Sequence, residues 1–378
     1  MGKIGILTFH KSINYGSVLQ AYALQKKVEE LGYSVEIIDY EPNRYKYLYG
    51  LFRKPVNMRN IKFDWINLRF FHLLKTRKKN FEIFRSNHLR LSKEKYCYGE
   101  NVDCWSDEYS TILTGSDQIW NPLAKDSDVN YFLPIQHNVN KVSYAVSLND
   151  GFAEGFQNPD LYKSRILEYD AISVREESAR RDLENFLDKK KQIEVVLDPT
   201  LLHKKEDFYE ICEKRIVDRP YIFFYSVNHS DDAVDAVAEL SKRTGLPVYM
   251  LFTNIRSRRT INLHKEFHYL RKETSPQAFV SLVRYADYVV TDSFHGTAFS
   301  IIFEKNFYSI GKKDKNGNKK KDERICGILE KLGLLSRFVS SMEIASVDIQ
   351  SKIDYTGVTQ IRDALIKDSE EYLKRSIK

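Results

Sequence analysis

The sequence predicts an α/β fold with two Rossmann-like domains that face a cleft. Apolar, β-branched runs typical of buried parallel strands alternate along the chain with segments of helical periodicity. The 378 residues exceed the usual size of one hydrophobic core, so two domains of ordinary size are expected. The alternation is interrupted by the charged segment from Leu201 to Arg219, and we place the domain crossing there.

The first domain is predicted over residues 1–200. Its predicted strands are Lys3 to Phe9, Val35 to Asp39, Tyr109 to Thr114, Lys141 to Ser147, Ala171 to Val174 and Ile193 to Leu197. An amphipathic helix from Val18 to Leu31, with Gly32 as its C-cap, joins the first two strands. The loop before this helix has one glycine where a dinucleotide-binding fingerprint needs three, so no nicotinamide cofactor is expected.

The second domain is predicted over residues 201–355 and repeats the alternation. Its predicted strands are Tyr221 to Val227, Val248 to Phe252, Tyr288 to Val290 and Asn306 to Ile310. Helices are predicted from Asp231 to Arg243, after the N-cap Ser275 with Pro276 in the first turn, and from Ala298 to Phe303. A helix within residues 356–378 is expected to pack back across the domain junction.

Composition narrows the class of protein. Hydrophobic residues make up 42% and charged residues 29%, the balance of a globular protein. No apolar run approaches the ~18 residues of a spanning helix, and the start of the chain lacks a signal-peptide pattern, so a cytoplasmic location is expected. The four cysteines have no C-x-x-C spacing, so we expect reduced thiols and no metal site built on them.

Two stretches carry much of the positive charge. From Asn43 to Asn80, where no regular periodicity is evident, eleven Lys or Arg residues are interleaved with aromatic residues against one acid, Asp64. This composition favours an anionic membrane surface, with a solvated insertion as the alternative; it also suits nucleic acid, but no nucleic-acid-binding module surrounds it. From Gly311 to Arg324, seven Lys or Arg residues predict a mobile loop. This loop closes over phosphate, or its charged residues are simply solvated.

A polar cluster follows the strand predicted at Tyr288 to Val290. It consists of Asp292, Ser293, His295, Gly296 and Thr297. In open α/β sheets ligands collect at the carboxyl ends of strands, and the first turn of a helix attracts anions. The pattern therefore predicts a site that binds or reacts with an anion, and the alternative is a histidine that only caps backbone carbonyls.

Polar residues also follow two predicted strands of the first domain. Asn14, Gly16 and Ser17 stand before the first helix, where they line a cleft or form an ordinary loop cap. In G-S-D-Q-I-W-N-P, Asp117, Gln118 and Asn121 offer hydrogen bonds and Trp120 offers a flat apolar face. A sugar ring needs this combination, although the same residues also form turns.

Arg175 follows the strand Ala171 to Val174 and precedes Glu176. Its guanidinium matches the geometry of a carboxylate or phosphate, so Arg175 is a candidate anion clamp. The commoner occurrence of such a pair is an Arg–Glu ion pair at the start of a helix.

Several motifs occur in an order that resembles the polysaccharide pyruvyl transferase family. They are K-I-G-I-L-T-F, N-Y-G-S, G-S-D-Q-I-W-N, S-V-R-E, L-D-P-T and A-D-Y-V-V-T-D-S-F-H-G-T-A-F-S. The resemblance runs from about Lys3 to the mid-330s and implies a glycosyltransferase-B-like fold. Asp292 stands where relatives often have a neutral residue.

The resemblance implies transfer of a pyruvyl group from phosphoenolpyruvate, as co-substrate, to sugar hydroxyls of a glycan or a lipid-linked precursor. His295 is then the proton carrier and Arg175 a catalytic donor clamp. Donor-binding residues are Asp292, Ser293, Gly296 and Thr297, while Asn14, Gly16, Ser17, Asp117, Gln118, Trp120 and Asn121 bind the acceptor. No metal or resident cofactor is expected. The alternatives are a sugar-nucleotide-dependent glycosyltransferase of the same architecture and a non-catalytic ligand-binding relative.

Overall fold

The computed structural model describes most of the chain. The described residues are 2–52, 58–124, 126–148, 152–227, 229–251, 267–312 and 319–378, without the side chains of residues 59, 60, 62 and 66. The chain divides into two compact units. Unit 1 comprises Met1–Gly50, Ile83–Leu202 and Asp363–Lys378, and unit 2 comprises Leu51–Glu82 and His203–Arg362.

Unit 1 is built on a seven-stranded parallel sheet. Its strands are β1 (Ile4–Leu7), β2 (Val35–Glu41), β3 (Leu91–Cys97), β4 (Thr111–Asp117), β5 (Asn140–Val146), β6 (Ala171–Val174) and β7 (Ile193–Val195). They lie in the order β3-β2-β1-β4-β5-β6-β7, and Ile4 pairs with Val35 on one side and Thr111 on the other. The strand order reverses between β1 and β4, which is where doubly wound sheets open a crevice at their carboxyl ends.

Unit 2 repeats this arrangement with a six-stranded parallel sheet. Its strands are β8 (Ile222–Tyr225), β9 (Val248–Leu251), β10 (His268–Leu270), β11 (Tyr288–Thr291), β12 (Asn306–Ile310) and β13 (Phe338–Val339). Their order is β10-β9-β8-β11-β12-β13, so the reversal falls between β8 and β11. Two separate parallel sheets confirm the predicted fold class.

Twelve α-helices lie in the described parts of the chain. They are α1 (Tyr15–Glu30), α2 (Tyr45–Tyr49), α3 (Met58–Arg69), α4 (Phe71–His88), α5 (Trp105–Glu108), α6 (Pro159–Leu167), α7 (Glu177–Phe186), α8 (Asp231–Thr244), α9 (Pro276–Tyr285), α10 (Phe294–Ile302), α11 (Glu323–Lys331) and α12 (Tyr355–Ser376). None of the helices in these described parts has both the length and the apolar character needed to cross a bilayer.

Strands missed by the sequence pattern lie at sheet edges. β3 reads L-S-K-E-K-Y-C, with exposed charges at its centre, and both β10 and β13 have only two or three residues. Short, charged edge strands avoid pairing with other chains, and the same features remove the apolar signal that reveals a buried strand.

The basic stretch from Asn43 to Asn80 is largely helical where it is described, because it contributes α2, α3 and most of α4. The interpretation of this stretch as one without regular periodicity is therefore wrong. Met58, Ile61, Trp65 and Leu68 do recur at helical spacing in α3, but this stripe faces largely outward. The structure groups residues 51–82 with unit 2.

The last helix, α12, contains residues of both units. α12 begins in unit 2 and ends in unit 1, while its packing across the domain junction stays a prediction. Within unit 1, Tyr372 Oη donates a 2.8 Å hydrogen bond to Ser143 O, and Ser369 Oγ accepts one of 3.0 Å from Leu197 N.

The second basic stretch falls partly outside the described residues. Residues 313–318, which include Asn316, Gly317 and Asn318, are among those not described, so the predicted mobile loop stays a prediction there. α11 begins at Glu323, inside the predicted loop, because Asp322 caps it by accepting a hydrogen bond from Arg324 N.

Candidate functional site

The carboxyl ends of β8 and β11 form the first candidate site, in unit 2. These strands are neighbours, and Ile222 pairs with Tyr288. The chain leaves β8 into α8 and leaves β11 into α10, on opposite sides of the strand-order reversal. The polar residues that follow the two strands therefore lie at the position where open α/β sheets bind ligands.

Asp292 connects the two strand ends. Its buried carboxylate accepts hydrogen bonds from Ser226 Oγ at 2.9 Å, Val227 N at 3.1 Å and Ser230 Oγ at 3.4 Å. All three donors lie in the loop between β8 and α8. These contacts support a positioning role for Asp292, while its predicted contact with a donor stays a prediction.

His295 lies in the first turn of α10. This helix begins at Phe294 rather than at Ala298 as predicted, because extended Ser293 is the N-cap and its Oγ accepts a hydrogen bond from Gly296 N at 3.5 Å. The His295 side chain is buried, and its ring lies perpendicular to that of Phe294 with centroids 5.3 Å apart. The structure thus fixes an imidazole at the positive end of a helix dipole.

Gly296 and Thr297 attach α10 to the sheet. A Cβ built on Gly296 would overlap Thr291 Oγ1 and lie 2.9 Å from Thr291 Cβ. Thr297 is fully buried, and its hydroxyl contacts Ser293 O at 3.1 Å and Ser309 Oγ at 2.7 Å. The Thr297 side chain is part of the packing between helix and sheet, so its interpretation as a donor ligand is corrected.

We expect Gly296→Ala to destabilise the protein by about 1–3 kcal/mol, because the added methyl group has no space. Thr291 is poorly able to move, since its Oγ1 donates to Tyr225 O at 2.6 Å and accepts from Ser293 N at 3.1 Å. Gly327 is the matched control: it lies in α11, and a Cβ there meets no atom within 4 Å. Gly327→Ala should be neutral or stabilise by up to about 1 kcal/mol in urea unfolding. Equal effects of the two substitutions would contradict close packing at Gly296.

The sequence analysis missed the loop after β8. His229 is buried there with a left-handed φ of 48°, its backbone N donates to Ser226 Oγ at 2.8 Å, and its ring lies 6.3 Å from that of Phe224. The sequence does contain a signal for this loop. Polar residues begin where β8 ends, in S-V-N-H-S, as they do where β11 ends, in T-D-S-F-H. Both strand ends at this switch point therefore lead to a histidine.

The hydrogen bonds of Asp292 predict different effects for two substitutions. Asp292→Asn keeps an oxygen for Val227 N and gains an amide donor for Ser226, so it should retain most of its stability. Asp292→Leu leaves these groups without their acceptor, which costs about 1–3 kcal/mol for each one that stays buried and unsatisfied. Thermal melts of both variants test this. If Asp292→Asn melts as low as Asp292→Leu, the negative charge of Asp292 and not its hydrogen bonds holds the loop.

The second candidate site lies in unit 1, where β1 and β4 end. Ser17 Oγ, in the first turn of α1, donates a 2.7 Å hydrogen bond to Asp117 Oδ2 at the end of β4. Asp117 has a left-handed φ of 75°, a conformation that is uncommon for residues other than glycine and occurs often at functional sites. Asn14 caps α1 and accepts from Gly16 N at 2.9 Å. Asn14, Gly16, Ser17 and Asp117 thus lie together, with Asn14 and Gly16 forming an ordinary cap, and the binding of an acceptor by these residues stays a prediction.

Three further polar side chains at this edge were not predicted. Tyr49 Oη, from α2, lies 2.8 Å from Ser12 Oγ and donates to Asp126 Oδ2 at 2.9 Å. Burial, together with the nearby charge of Asp117, raises the pKa of Asp126. The carboxyl edge of the unit 1 sheet therefore presents hydroxyl groups and two half-buried carboxylates.

Trp120 does not belong to this edge. Its side chain is fully buried, its ring stacks on Phe132 at 5.7 Å, and its Nε1 donates to Tyr131 O at 3.0 Å. The interpretation of Trp120 as a platform for a sugar is corrected, because neighbouring core residues cover the ring. Asn121 is also buried and bonds to Gln118 Oε1 at 3.2 Å, which supports the turn-forming interpretation, and Gln118 is half-buried.

Arg175 lies in unit 1 in a buried network of charges. Its Nε donates to Glu176 Oε1 at 2.7 Å and its Nη1 to Asp198 Oδ2 at 2.9 Å. Burial opposes the charged form, but both carboxylates outweigh burial and raise the pKa of Arg175. The same carboxylates accept from Ser147 Oγ and from Thr200. The Arg–Glu ion pair that was the alternative to an anion clamp is therefore present, but it lies in the interior and not on the surface. His295 and the predicted donor residues lie in unit 2.

Solved structures share this two-unit architecture. The chain is similar to trehalose-6-phosphate synthase OtsA, with a TM-score of 0.52 and 8% identity over 99% of this chain and 98% of that one. It is similar to the UDP-GlcNAc 2-epimerase of Methanocaldococcus jannaschii in complex with UDP-GlcNAc and UDP, with a TM-score of 0.51 and 12% identity over 97% and 99%. For the UDP-N-acetylglucosamine 2-epimerase of Rickettsia bellii the TM-score is 0.50, with 11% identity over 99% and 98%. Two Rossmann-like units with these neighbours define the glycosyltransferase-B class of fold.

Sequence comparison gives the family. No curated protein matches the chain. The family model "Polysaccharide pyruvyl transferase" matches residues 14–313, well over half of the sequence. The chain belongs to the polysaccharide pyruvyl transferase family, and it is a transferase of the class that modifies polysaccharides.

Proposed function

We propose that this protein transfers a pyruvyl group from phosphoenolpyruvate to two hydroxyls of a sugar and forms a cyclic ketal. The sugar belongs to a cell-surface polysaccharide or to its lipid-linked precursor. The observation that carries this proposal is the position of His295 in the first turn of α10, at the switch point of unit 2, in a member of this family. An imidazole beside a helix N-terminus combines proton transfer with attraction for an anion.

Phosphoenolpyruvate suits the end of α10 because it carries a carboxylate and a phosphate. The helix dipole favours negative charge there, and Ser293 adds a hydroxyl at the cap position. Arg175 is already bonded to Glu176 and Asp198, so we assign it to the support of the unit 1 sheet edge rather than to the donor clamp.

The reaction needs a group that gives and then takes a proton. His295 protonates carbon three of phosphoenolpyruvate, which makes carbon two electrophilic. A sugar hydroxyl attacks carbon two and gives its proton to His295, and phosphate leaves with the bridging oxygen. A neighbouring hydroxyl then attacks the same carbon, gives its proton to the departing phosphate and closes the ketal. An imidazole can act as acid and as base in successive steps near neutral pH.

The edge of unit 1 is the proposed acceptor site. Ser12, Ser17 and Tyr49 offer hydroxyls, and Asp117 and Asp126 offer carboxylate oxygens that accept from sugar hydroxyls. Two carboxylates there disfavour a phosphorylated donor and favour an uncharged sugar.

Incubation of the protein with phosphoenolpyruvate and sugar acceptors tests the proposal. Phosphate release and an acid-labile product whose mass increases by that of a pyruvyl ketal are the expected results. Turnover with a nucleotide sugar but not with phosphoenolpyruvate would identify a sugar-nucleotide-dependent glycosyltransferase. Saturable binding of phosphoenolpyruvate without turnover, across a panel of acceptors, would indicate a binding relative.

A further inference from the structure

The outward face of α3 carries apolar side chains that do not join the core. Met58 is 78% exposed, Trp65 71% and Leu68 59%, and half-buried Ile61 lies on the same helical stripe. Their spacing of three and four residues places them on one side of the helix. Asn67, on the opposite side, is buried and donates to Leu51 O at 2.6 Å. α3 is therefore anchored by a polar residue, and its apolar face points to solvent.

The stretch of sequence that contains α3 is rich in positive charge. The sequence from Asn43 to Asn80 holds eleven Lys or Arg residues against one acid, Asp64. Arg69 ends α3 next to the apolar stripe and is exposed, as are Lys75 and Lys79 on α4. A helix with an apolar face, a tryptophan and flanking cations is the pattern that binds in the plane of a membrane surface.

We propose that the outward face of α3, formed by Met58, Ile61, Trp65 and Leu68, docks on an anionic phospholipid surface. Met58, Trp65 and Leu68 enter the boundary between headgroups and acyl chains, while Arg69 and the exposed lysines of α4 contact lipid phosphates. Charge complementarity selects this occupant, because the stretch that carries the apolar stripe holds eleven Lys or Arg residues against one acid, and two copies of it would repel each other. The proposal does not rest on pyruvyl transfer, since it concerns a surface and not the candidate sites.

Trp65 provides a direct readout, because Trp105 and Trp120, the other two tryptophans, are fully buried. The full-length protein is mixed with vesicles of equal parts phosphatidylglycerol and phosphatidylcholine that contain brominated acyl chains. We expect quenching of tryptophan fluorescence at low salt, less quenching at high salt, and little with phosphatidylcholine alone. Sedimentation with these vesicles without phosphoenolpyruvate or sugar keeps the test independent of the proposed reaction.

Variants test whether the outward face of α3, and not another exposed apolar surface, binds the vesicles. The double substitution Trp65→Ser and Leu68→Ser should weaken vesicle binding by about tenfold or more. Arg69→Gln should weaken it by about fivefold, the effect of one basic residue near anionic lipid. The matched control is Met342→Ser with Leu335→Ser, since Met342 is 75% exposed and Leu335 43%, both outside the basic stretch. The control should bind vesicles as the parent does.

Several outcomes overturn this inference. Equal sedimentation of the parent and the Trp65 and Leu68 double variant excludes the face, and so does equal binding to neutral and anionic vesicles. If the parent self-associates without vesicles and the double variant does not, the face is an interface between copies of the chain. Circular-dichroism melts verify that the variants are folded, which is expected because the substituted side chains are exposed.

Discussion

His295→Ala is expected to lower the rate of pyruvyl transfer by about 10²–10⁴ and to leave a folded protein. This range is the usual contribution of a positioned acid–base group. Alanine is the best helix former, so α10 should persist with Ser293 as its cap. Phosphate release from phosphoenolpyruvate in the presence of an acceptor measures the effect, and a thermal melt measures the fold.

The control for this substitution is His137→Ala, which removes an exposed histidine from unit 1. It should leave turnover unchanged. Binding of phosphoenolpyruvate should survive in His295→Ala, because the end of α10 and the Ser293 hydroxyl remain. If His295→Ala turns over within a few-fold of the parent, the histidine is only structural, and unit 2 does not carry the reaction in the proposed way.

The regular parts of the fold could be predicted because buried parallel strands are short apolar runs. β6 and β12 have the predicted bounds, and β11 differs by one residue. Edge strands such as β3 could not be predicted, since their charges serve to keep the edge unpaired. The start of α10 was misplaced because Gly296 argues against a helix in sequence, whereas in the fold it permits close approach to Thr291.

The candidate sites were predictable only where their residues follow strands. Asp117 is the last residue of β4 and Asp292 directly follows β11, each at a switch point, so topology alone brings them there. Tyr49 and Asp126 are 77 residues apart in sequence, and their hydrogen bond depends on tertiary packing that no local pattern encodes. Trp120 was misplaced because a turn sequence does not indicate whether an aromatic ring faces solvent or the core.

Arg175 shows how burial changes an expected mutational effect. From the sequence, loss of Arg175 is expected to weaken donor binding without unfolding the domain. In the structure its side chain is buried between Glu176 and Asp198 and forms an ion pair with each carboxylate. Removal of one partner of a buried ion pair leaves uncompensated charge in the interior. We therefore correct the expectation that the substitution leaves the fold intact.

Arg175→Ala should lower the free energy of unfolding by about 3–5 kcal/mol, because Glu176 and Asp198 lose their cation while both stay buried. Arg180→Ala is the control. Arg180 also bonds to two carboxylates, those of Glu177 and Glu184, but it lies at the surface, so its loss should cost at most about 1 kcal/mol. Urea unfolding of the two variants, followed by circular dichroism, gives the comparison. If Arg175→Ala unfolds at the same urea concentration as Arg180→Ala but no longer binds phosphoenolpyruvate, then Arg175 contacts the donor, and its assignment to the support of the unit 1 sheet edge is wrong.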